Sequence, residues 1–191
     1  MAKRFSEQEK SQITQNLIAA CKACWKRYGY AKTGIRDIAQ LANISVGAFY
    51  QFFPSKEMLF VTTADELQLE LDQIMHDNMR AYPGKRGVAE GLKALAAAIS
   101  AMPWLTSMWE EWPTIAQRLP QGHMEQDFRR DMMRMEALIA QYALVPKHSL
   151  VCVTQIVDTL LSSMLQLDFT ADGITESASF IIDAAIDNLF A

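Results

Sequence analysis

TGIRDIAQLANISVGAFYQFFPSKEMLF, from Thr33 to Phe60, is the stretch that decides the fold. Apolar residues recur at helical spacing over its first part, which predicts a short helix with one apolar face. These residues are Ile35, Ile38, Ala39 and Ala42. Asn43 is expected to end the helix, because asparagine tolerates the left-handed conformation that a helix C-terminus often needs. Ser45 is a suitable N-cap for a second helix, so two short helices are joined by a tight turn.

The second helix is expected to have one buried face and one outward face. Phe49 and Phe53 lie four residues apart and can pack inward together. The residues left to face outward are Val46, Gly47, Ala48, Tyr50 and Gln51. A DNA major groove, about 12 Å wide, accepts such a small-residue surface. Pro54 and Ser55 end this helix and cap a third, whose first turn contains Lys56 beside free backbone N–H groups that suit a phosphate. The layout is that of a helix-turn-helix.

The segment from about residue 8 to 60 resembles the DNA-binding domain of the TetR family of transcriptional regulators. The resemblance is carried by Ile38-Ala39, Asn43, Ser45 to Ala48, Phe49-Tyr50, Phe53, and Ser55-Lys56-Glu57-Met58-Leu59. It implies base or groove contacts from Arg36, Val46, Gly47, Ala48 and Gln51. It implies phosphate contacts from Ser45, Tyr50 and Lys56. Gly34 stands where the family often has a threonine. Thr33 is therefore expected to cap the first helix of the helix-turn-helix, which contains Ile35, and to contact phosphate.

The charge distribution favours a polyanionic partner for the N-terminal part. Residues 1–56 hold nine Lys or Arg against three Asp or Glu, a net charge of +6, although the whole chain carries −4. The remainder holds nine bases against 19 acids, a net charge of −10. Such asymmetry is expected when one module contacts nucleic acid and the other does not. Chance clustering of basic surface residues is the alternative interpretation.

The rest of the chain is predicted to be helical. Half of the 191 residues are hydrophobic, and eight Gly and six Pro leave room for long helices. A first helix is expected from the Ser6 cap, with Glu9 as its capping-box partner, to about Tyr28. Later helices are expected over residues 55–80, 87–101, 121–144, 149–169 and 174–191, while Pro103, Pro113 and Pro120 break a Trp-rich stretch into short pieces.

Strand signals are absent, so the predicted fold is all-α. Three short N-terminal helices form a helix-turn-helix DNA-binding domain over residues 1–54. About six more form a bundle for ligand binding and dimerisation over residues 55–191. The N-terminus lacks the apolar core of a signal peptide, and no apolar run approaches the roughly 20 residues that span a bilayer. No membrane association is expected, and the protein is expected to be cytoplasmic.

Cysteine and histidine residues can form redox pairs and metal sites. Cys21 and Cys24 form a C-x-x-C pattern, but no strand precedes it and it lies mid-helix, which favours small core residues over a redox pair. Cys152 is expected to pack in another helix. The histidines, at positions 76, 123 and 148, lack ligand spacing. Neither a metal site nor another cofactor is predicted.

The last two helices carry broad apolar surfaces that predict a two-fold interface. The residues proposed for it are Val153, Ile156, Val157, Leu160, Met164, Ile181 and Ala185. In TetR-like proteins this is where dimerisation occurs, so the resemblance implies a homodimer as well. In a dimer, the second helix of each copy's helix-turn-helix would lie on one of two half-sites about 34 to 36 Å apart. This arrangement predicts a palindromic operator. The alternative is that both helices are simply core.

An effector pocket is predicted in the middle of the chain. The residues proposed for it are Met102, Trp104, Met108, Trp109, Trp112, Phe128 and Met132. Flexible Met beside rigid Trp suits an adaptable apolar cavity. The same set also suits an ordinary core, and these alternatives remain open. By resemblance, ligand binding would shift the dimer between DNA-competent and incompetent spacings, with the helix over residues 55–80 as lever.

The sequence therefore predicts a ligand-responsive transcriptional regulator. It is expected to be a repressor that binds double-stranded DNA at a palindromic operator as a homodimer. A small, largely apolar effector is expected to release it. An enzyme would need a paired acid and base, or a nucleophile beside a base, and no spacing in this chain supplies such a set. The other alternative is a partner-binding adaptor that keeps the helix-turn-helix shape without using it.

Overall fold

A computed structural model describes residues 5–164 and 176–191. In that part of the chain the regular elements are α-helices, beside an isolated bridge between Pro146 and Phe190. The helices are α1 (Glu7–Lys32), α2 (Ile35–Leu41), α3 (Val46–Phe49), α4 (Lys56–Ala81), α5 (Gly84–Ser100), α6 (Pro103–Ala116), α7 (His123–Gln141), α8 (Leu150–Met164) and α9 (Glu176–Leu189). The prediction of an all-α fold is confirmed.

α1 begins as predicted but runs past its predicted end. The Ser6 hydroxyl oxygen accepts from the Glu9 backbone N–H at 3.2 Å, and the Glu9 carboxylate accepts from the Ser6 N–H at 2.8 Å. This reciprocal capping box fixes the N-terminus of the helix. Gly29, at φ 74°, interrupts the helical geometry, after which the chain resumes it to Lys32. The break at Gly29 thus lies next to the predicted end at about Tyr28, and only the short segment after it was not predicted.

The predicted long helices have counterparts in the structure. α4 and α7 lie close to the predicted bounds of 55–80 and 121–144. α5 starts three residues before its predicted start at residue 87, because Pro83 serves as its N-cap. α8 and α9 cover the described parts of the last two predicted helices, and residues 165–175 lie outside the described residues.

Pro113 does not break the Trp-rich stretch, contrary to the prediction. α6 runs through it and continues to Ala116. An interior proline removes one hydrogen-bond donor and crowds the carbonyl four residues earlier, but here only the last turn follows it. The Pro113 carbonyl accepts from the Gln117 N–H at 3.2 Å, and Ile115 in that turn is fully buried. Burial of the last turn therefore outweighs the local preference of proline.

The chain divides into two compact units. Unit 1 consists of Met1–Gln68 and Ser107–Leu119, and unit 2 consists of Leu69–Thr106 and Pro120–Ala191. The C-terminal part of α6 is thus grouped with the N-terminal helices. The division into domains at residue 54 remains a prediction.

An aromatic cluster forms the core of unit 1. Trp25, Phe49 and Phe60 are among its fully buried large side chains. The Trp25 and Phe60 rings lie 4.8 Å apart between centroids, and the Tyr30 ring meets Phe60 edge-on at 4.9 Å. Such tilted and edge-to-face pairs are the favoured arrangements of buried rings. These contacts tie α1 to the start of α4.

Aliphatic side chains form the core of unit 2. The buried members are Met79, Val88, Ala89, Leu92, Ala96, Leu144, Val153, Val157, Ile182, Ile186, Leu189 and Phe190. At Gly87 a Cβ atom would lie 2.4 Å from the Tyr82 carbonyl oxygen, so only glycine permits this approach of α5 to the end of α4. Lys93 joins α5 to Asp183 of α9 at 2.7 Å.

The two N-terminal cysteines lie in the core, as the sequence favoured. Cys21 and Cys24 are buried and free of disulfides. Burial raises the pKa of the Cys21 thiol to about 12, so the reactive thiolate is strongly disfavoured. Over residues 5–164 and 176–191, no three or more His, Cys, Asp or Glu side chains are placed to hold a metal ion together. Within the same residues, none of the helices has the length and apolar character of a membrane span.

Candidate nucleic-acid interface

The turn between α2 and α3 has the predicted geometry. Asn43 adopts a left-handed conformation with φ 57°. The Ile44 N–H donates to the Ala39 carbonyl at 2.9 Å, and the Asn43 N–H donates to the Gln40 carbonyl at 3.1 Å. These bonds satisfy carbonyls that the end of α2 would otherwise leave free. The chain therefore reverses direction without a glycine, and the prediction for Asn43 is confirmed.

α3 is a single helical turn, Val46–Phe49, and ends earlier than the predicted end before Pro54, so Tyr50 and Gln51 lie in the turn that follows it. At its start, the Ser45 hydroxyl oxygen accepts from the Ala48 N–H at 3.1 Å. On its inner side, Phe49 and Phe53 are both buried, with ring centroids 6.2 Å apart. The predicted N-cap and the predicted inward pair are thus confirmed. A short element held in this way presents its remaining side chains in fixed directions.

The outward face of α3 carries the side chains that the sequence places there. Val46 is 40% exposed and Tyr50 is 55% exposed. Gly47 and Gln51 are also exposed, while Ala48 is half-buried. The Tyr50 ring packs edge-on against Phe49 at 5.4 Å, which orients it on the core. Contact of this face with DNA bases or phosphates remains a prediction.

Neither its backbone conformation nor its packing against the residues that the structure describes requires glycine at position 47. A Cβ atom at this position would meet only the Ser45 hydroxyl oxygen, at 3.9 Å, which is ordinary van der Waals contact. Its φ also lies outside the left-handed region. The absence of a side chain at Gly47 therefore opens space on the outside of α3, where another molecule can approach the backbone closely.

An open pocket of about 380 Å³ lies beside this face. It is lined by Arg36, Ala39, Gln40, Asn43, Ile44, Ser45 and Val46. Arg36, Ser45 and Val46 are among the predicted DNA-binding residues, whereas Gln40 and Asn43 are not. The spacing of Arg36 and Gln40, four residues apart on one helix, was the available signal for a shared face. Amide side chains such as these can read adenine in a major groove.

Thr33 does not cap α2, contrary to the prediction. The side chain is only 2% exposed, and its hydroxyl donates to the Gly29 carbonyl at 2.6 Å. Gly34 occupies the N-cap position, and its N–H donates to the Asp37 carboxylate at 3.2 Å. Asp37 thus supplies the acceptor at the start of α2. The buried Thr33 side chain gives no support for a phosphate contact.

Lys56 binds backbone carbonyls within unit 1. Its ammonium donates to the Tyr30 carbonyl at 2.9 Å and to the Thr33 carbonyl at 3.0 Å. It also lies 3.8 Å from the centre of the Tyr30 ring, a cation–π contact. Burial lowers the pKa of Lys56, and a nearby Glu57 carboxylate opposes that shift. A positive charge at the carbonyl end of α1 complements the helix dipole, while the predicted phosphate contact remains untested.

The predicted effector residues are divided between the two units. Met102, Trp104, Phe128 and Met132 belong to unit 2 and Trp112 to unit 1, and all five are half-buried. The side chains of Met108 and Trp109 lie outside the described residues. The pocket that these residues are predicted to form remains a prediction.

The predicted dimer residues include core and surface positions. Val153 and Val157 are 0% and 5% exposed within the single chain, so they belong to the core of unit 2 and are unavailable to a partner. The half-buried Ile156, Leu160 and Ala185 and the 47% exposed Ile181 form the remaining set. Phe180 is 73% exposed and was not among the predicted interface residues, although it lies next to Ile181 in the sequence. The Met164 side chain lies outside the described residues.

Comparisons with known proteins agree with the geometry of unit 1. Residues 17–62 match the family model described as bacterial regulatory proteins, tetR family. The chain is 25% identical over 137 residues to the HTH-type transcriptional repressor Rv1474c of Mycobacterium tuberculosis, a match covering 72% of this chain and 65% of the relative. The chain thus spans less than two thirds of that relative.

Solved structures with the same fold cover nearly the whole chain. A transcriptional regulator of Streptomyces coelicolor A3(2) superposes with a TM-score of 0.67 at 16% identity, covering 93% of this chain and 98% of that one. The structure of RolR in complex with the ligand resorcinol superposes with a TM-score of 0.60 at 17% identity, covering 96% and 90%. At such identities the likeness establishes the fold alone.

Proposed function

Because this chain belongs to the TetR family of bacterial regulatory proteins, we propose that it is a DNA-binding transcriptional regulator. The outward face of α3 carries the proposal, because Gly47 leaves open space there that no contact among residues 5–164 and 176–191 requires. That face combines small residues with Tyr50 and Gln51 on a turn anchored by Phe49. A major groove accepts a helix with such a surface and offers hydrogen-bonding partners to its polar groups.

The charge distribution supports the same interface. The net charge of +6 over residues 1–56 lies on the segment that contains the helix-turn-helix, against −10 for the remainder. Lysine and arginine attract the phosphate backbone at long range and release its counterions on binding. Arg36, exposed at the rim of the α2–α3 pocket, can reach either a phosphate or a guanine edge. The similarity to a mycobacterial repressor favours repression over activation.

Our proposal includes a homodimer on a palindromic operator. The exposed apolar residues Phe180 and Ile181 on α9 supply an unpartnered surface for a second copy of the chain. Two copies related by a two-fold axis would present their α3 helices to half-sites about 34 to 36 Å apart. The operator would then be an inverted repeat.

A small, largely apolar effector completes the proposal. Within unit 2, the predicted effector residues Met102, Trp104, Phe128 and Met132 are half-buried, as expected of residues that can line an adaptable cavity. RolR, a structural neighbour, binds resorcinol, a small aromatic molecule. An effector of this chain would release DNA only if it binds the DNA-incompetent state more tightly than the competent one.

Two charge-removing variants test the proposed surface. Arg36→Ala removes a cation from the α2–α3 pocket, and Arg86→Ala, an exposed residue of α5, removes the same charge from unit 2. Both are titrated by fluorescence anisotropy with duplex DNA flanking the chain's own gene, over a range of salt concentrations. Arg36→Ala should weaken binding and lower the salt slope by about 1, while Arg86→Ala should resemble the unchanged protein. If the two variants bound DNA with the same affinity and the same salt dependence, the DNA-binding surface would lie elsewhere.

A further inference from the structure

The break in α1 at Gly29 exposes two backbone N–H groups that a distant carboxylate binds. With φ 74° at Gly29, the N–H groups that follow leave the helical ladder. The Glu111 carboxylate, from α6, accepts from the Tyr30 N–H at 2.6 Å and from the Ala31 N–H at 2.9 Å. One oxygen binds each group, so the contact is bidentate. Charge-assisted bonds of this kind are shorter and stronger than neutral ones.

Gly29 and Glu111 fit each other closely. A Cβ atom at Gly29 would lie 3.3 Å from one Glu111 oxygen, tighter than ordinary contact, and the positive φ would strain any other residue. The free N–H groups carry the partial positive charge of a helix start, which a carboxylate complements. A break in α1 and an acid of α6, about 80 residues apart in sequence, therefore form one bonded unit.

Arg118 makes a second contact between this segment and the chain that follows Pro113. Its guanidinium donates to the Tyr30 hydroxyl at 3.2 Å and lies 3.6 Å from the Glu57 carboxylate. The Tyr30 hydroxyl in turn donates to Glu57 at 2.5 Å. Burial, then the Glu57 hydrogen bond, raises the pKa of Tyr30 to about 12, so the phenol remains a donor at neutral pH. Glu111 and Arg118, which we name the Tyr30 clamp, thus hold both the backbone and the ring of Tyr30.

The clamped segment leads directly into the helix-turn-helix. Tyr30 is five residues before the first residue of α2, and Lys56 holds the carbonyls of Tyr30 and Thr33 at the other side of this link. The N–H groups are thus bound by Glu111 and the carbonyls by Lys56. A short link fixed at both its donors and its acceptors determines the direction in which α2 starts, and with it the position of Arg36.

We propose that Glu111 is a positioning residue for DNA binding, which acts by fixing the Gly29 break through the backbone N–H groups of Tyr30 and Ala31. This inference rests on the proposed function. It predicts a change in DNA affinity opposite to the one that electrostatic attraction alone would produce. Removal of a negative charge from the basic unit would by Coulomb attraction alone strengthen DNA binding. Loss of the positioning contact weakens it.

The test compares Glu111→Gln with Glu110→Gln. Glu110 is the exposed neighbour on α6, so its substitution removes the same charge without touching the clamp. DNA affinity is measured on the full chain with a duplex that the unchanged protein prefers over a scrambled one. Amide hydrogen exchange at Tyr30 and Ala31 is measured by NMR without DNA. Glu111→Gln should bind at least tenfold more weakly and exchange both amides faster, because a side-chain amide offers one acceptor and places a donor against the second N–H. Glu110→Gln should bind equally or more tightly.

A charge-preserving variant covers the case in which Glu111→Gln fails to fold. Glu111→Asp keeps the negative charge but shortens the side chain, so it cannot reach both N–H groups and should also weaken binding. Binding by a folded Glu111 variant as tight as that of the unchanged chain would overturn the positioning role and leave the proposed function standing. If the unchanged chain preferred no duplex, the proposed function would fail, and this inference with it.

Discussion

Gly47 is the smallest residue on the exposed face of α3, and none of its contacts in the described part of the chain explains its size. The nearest atom to a Cβ placed there is a hydroxyl oxygen at 3.9 Å. Glycine weakens a helix by roughly 0.5 to 1 kcal/mol relative to alanine, since it loses more backbone freedom on folding. A residue that costs stability and fills no structural need is best explained by a partner that approaches the backbone.

Substitution of Gly47 separates stability from DNA binding. Gly47→Ala should raise the free energy of unfolding by up to about 0.5 to 1 kcal/mol in urea denaturation. Gly47→Leu should leave the fold intact but weaken binding to a preferred duplex at least tenfold, because the side chain occupies the groove-facing space. Binding by Gly47→Leu at the affinity of the unchanged chain would mean that this face does not enter the groove.

Single residues also show where prediction from sequence fails. Asn43, Ser45 and the pair Phe49 and Phe53 were predictable, because each acts through its immediate neighbours in the chain. The hydrogen bonds of Thr33 and Lys56 were not predictable, because they depend on how the end of α1 packs against the start of α4. Sequence spacing carries no record of a bond between residues 23 apart, such as Lys56 and Thr33.

For the helices, presence was easier to predict from sequence than whether a helix is interrupted along its length. The apolar periodicity of α4, α5 and α7 identified them from sequence. The predicted end of the first helix, at about Tyr28, falls beside the break at Gly29, whereas the passage of α6 through Pro113 was not predicted. Both are decided by packing: Glu111 binds the N–H groups freed at the break, and burial of Ile115 holds the turn after the proline.

The carboxyl group of Asp158, on α8, destabilises the folded protein when it is ionised. Burial, then the nearby negative charge of Asp131, raises the pKa of Asp158 from 3.8 to about 6. A carboxyl whose pKa rises on folding binds more protons in the folded state between pH 3.8 and about 6. Stability therefore falls as the pH rises through this window, and the full cost is present above it.

Removal of that carboxyl should stabilise the protein at neutral and alkaline pH. Full conversion of the pKa shift would give about 3 kcal/mol, but Asp158 is only half-buried and solvent screening reduces this to roughly 1 kcal/mol. Asp158→Asn should raise the free energy of unfolding by about that amount at pH 8, with the gain shrinking toward pH 4. Glu136→Gln, at an exposed position of α7, is the control and should change little. A gain independent of pH would show that ionisation of Asp158 is not its source.

At the scale of the whole molecule, the proposal requires two copies of the chain. The sequence marked the last two helices as apolar but could not assign their faces. In the structure Val153 and Val157 fill the core, whereas Phe180 and Ile181 face outward. Which apolar positions of a broad stripe are core depends on the neighbouring helices, which the periodicity of one helix does not reveal.

A charged substitution on α9 tests the proposed interface. If the proposed dimer forms, Phe180→Glu with Ile181→Glu should convert it to a monomer in light scattering after size exclusion, because each copy would bury two carboxylates that repel those of the other copy. The monomer should also lose tight DNA binding, since only one α3 helix would engage a half-site. Met133→Glu, an exposed apolar position on α7, should preserve both properties. A double variant that remains dimeric would exclude this face of α9 as the interface.

Selection from randomised duplexes tests whether this chain recognises a specific DNA sequence. The unchanged protein is used to enrich bound duplexes, and the winning sequence is titrated by fluorescence anisotropy beside a scrambled duplex at two salt concentrations. A dimeric, sequence-specific regulator should select an inverted repeat and bind it tightly, with strong salt dependence, at two chains or a multiple of two per duplex. Weak, equal binding to selected and scrambled duplexes would contradict this prediction and would favour an adaptor that keeps the helix-turn-helix shape without reading DNA.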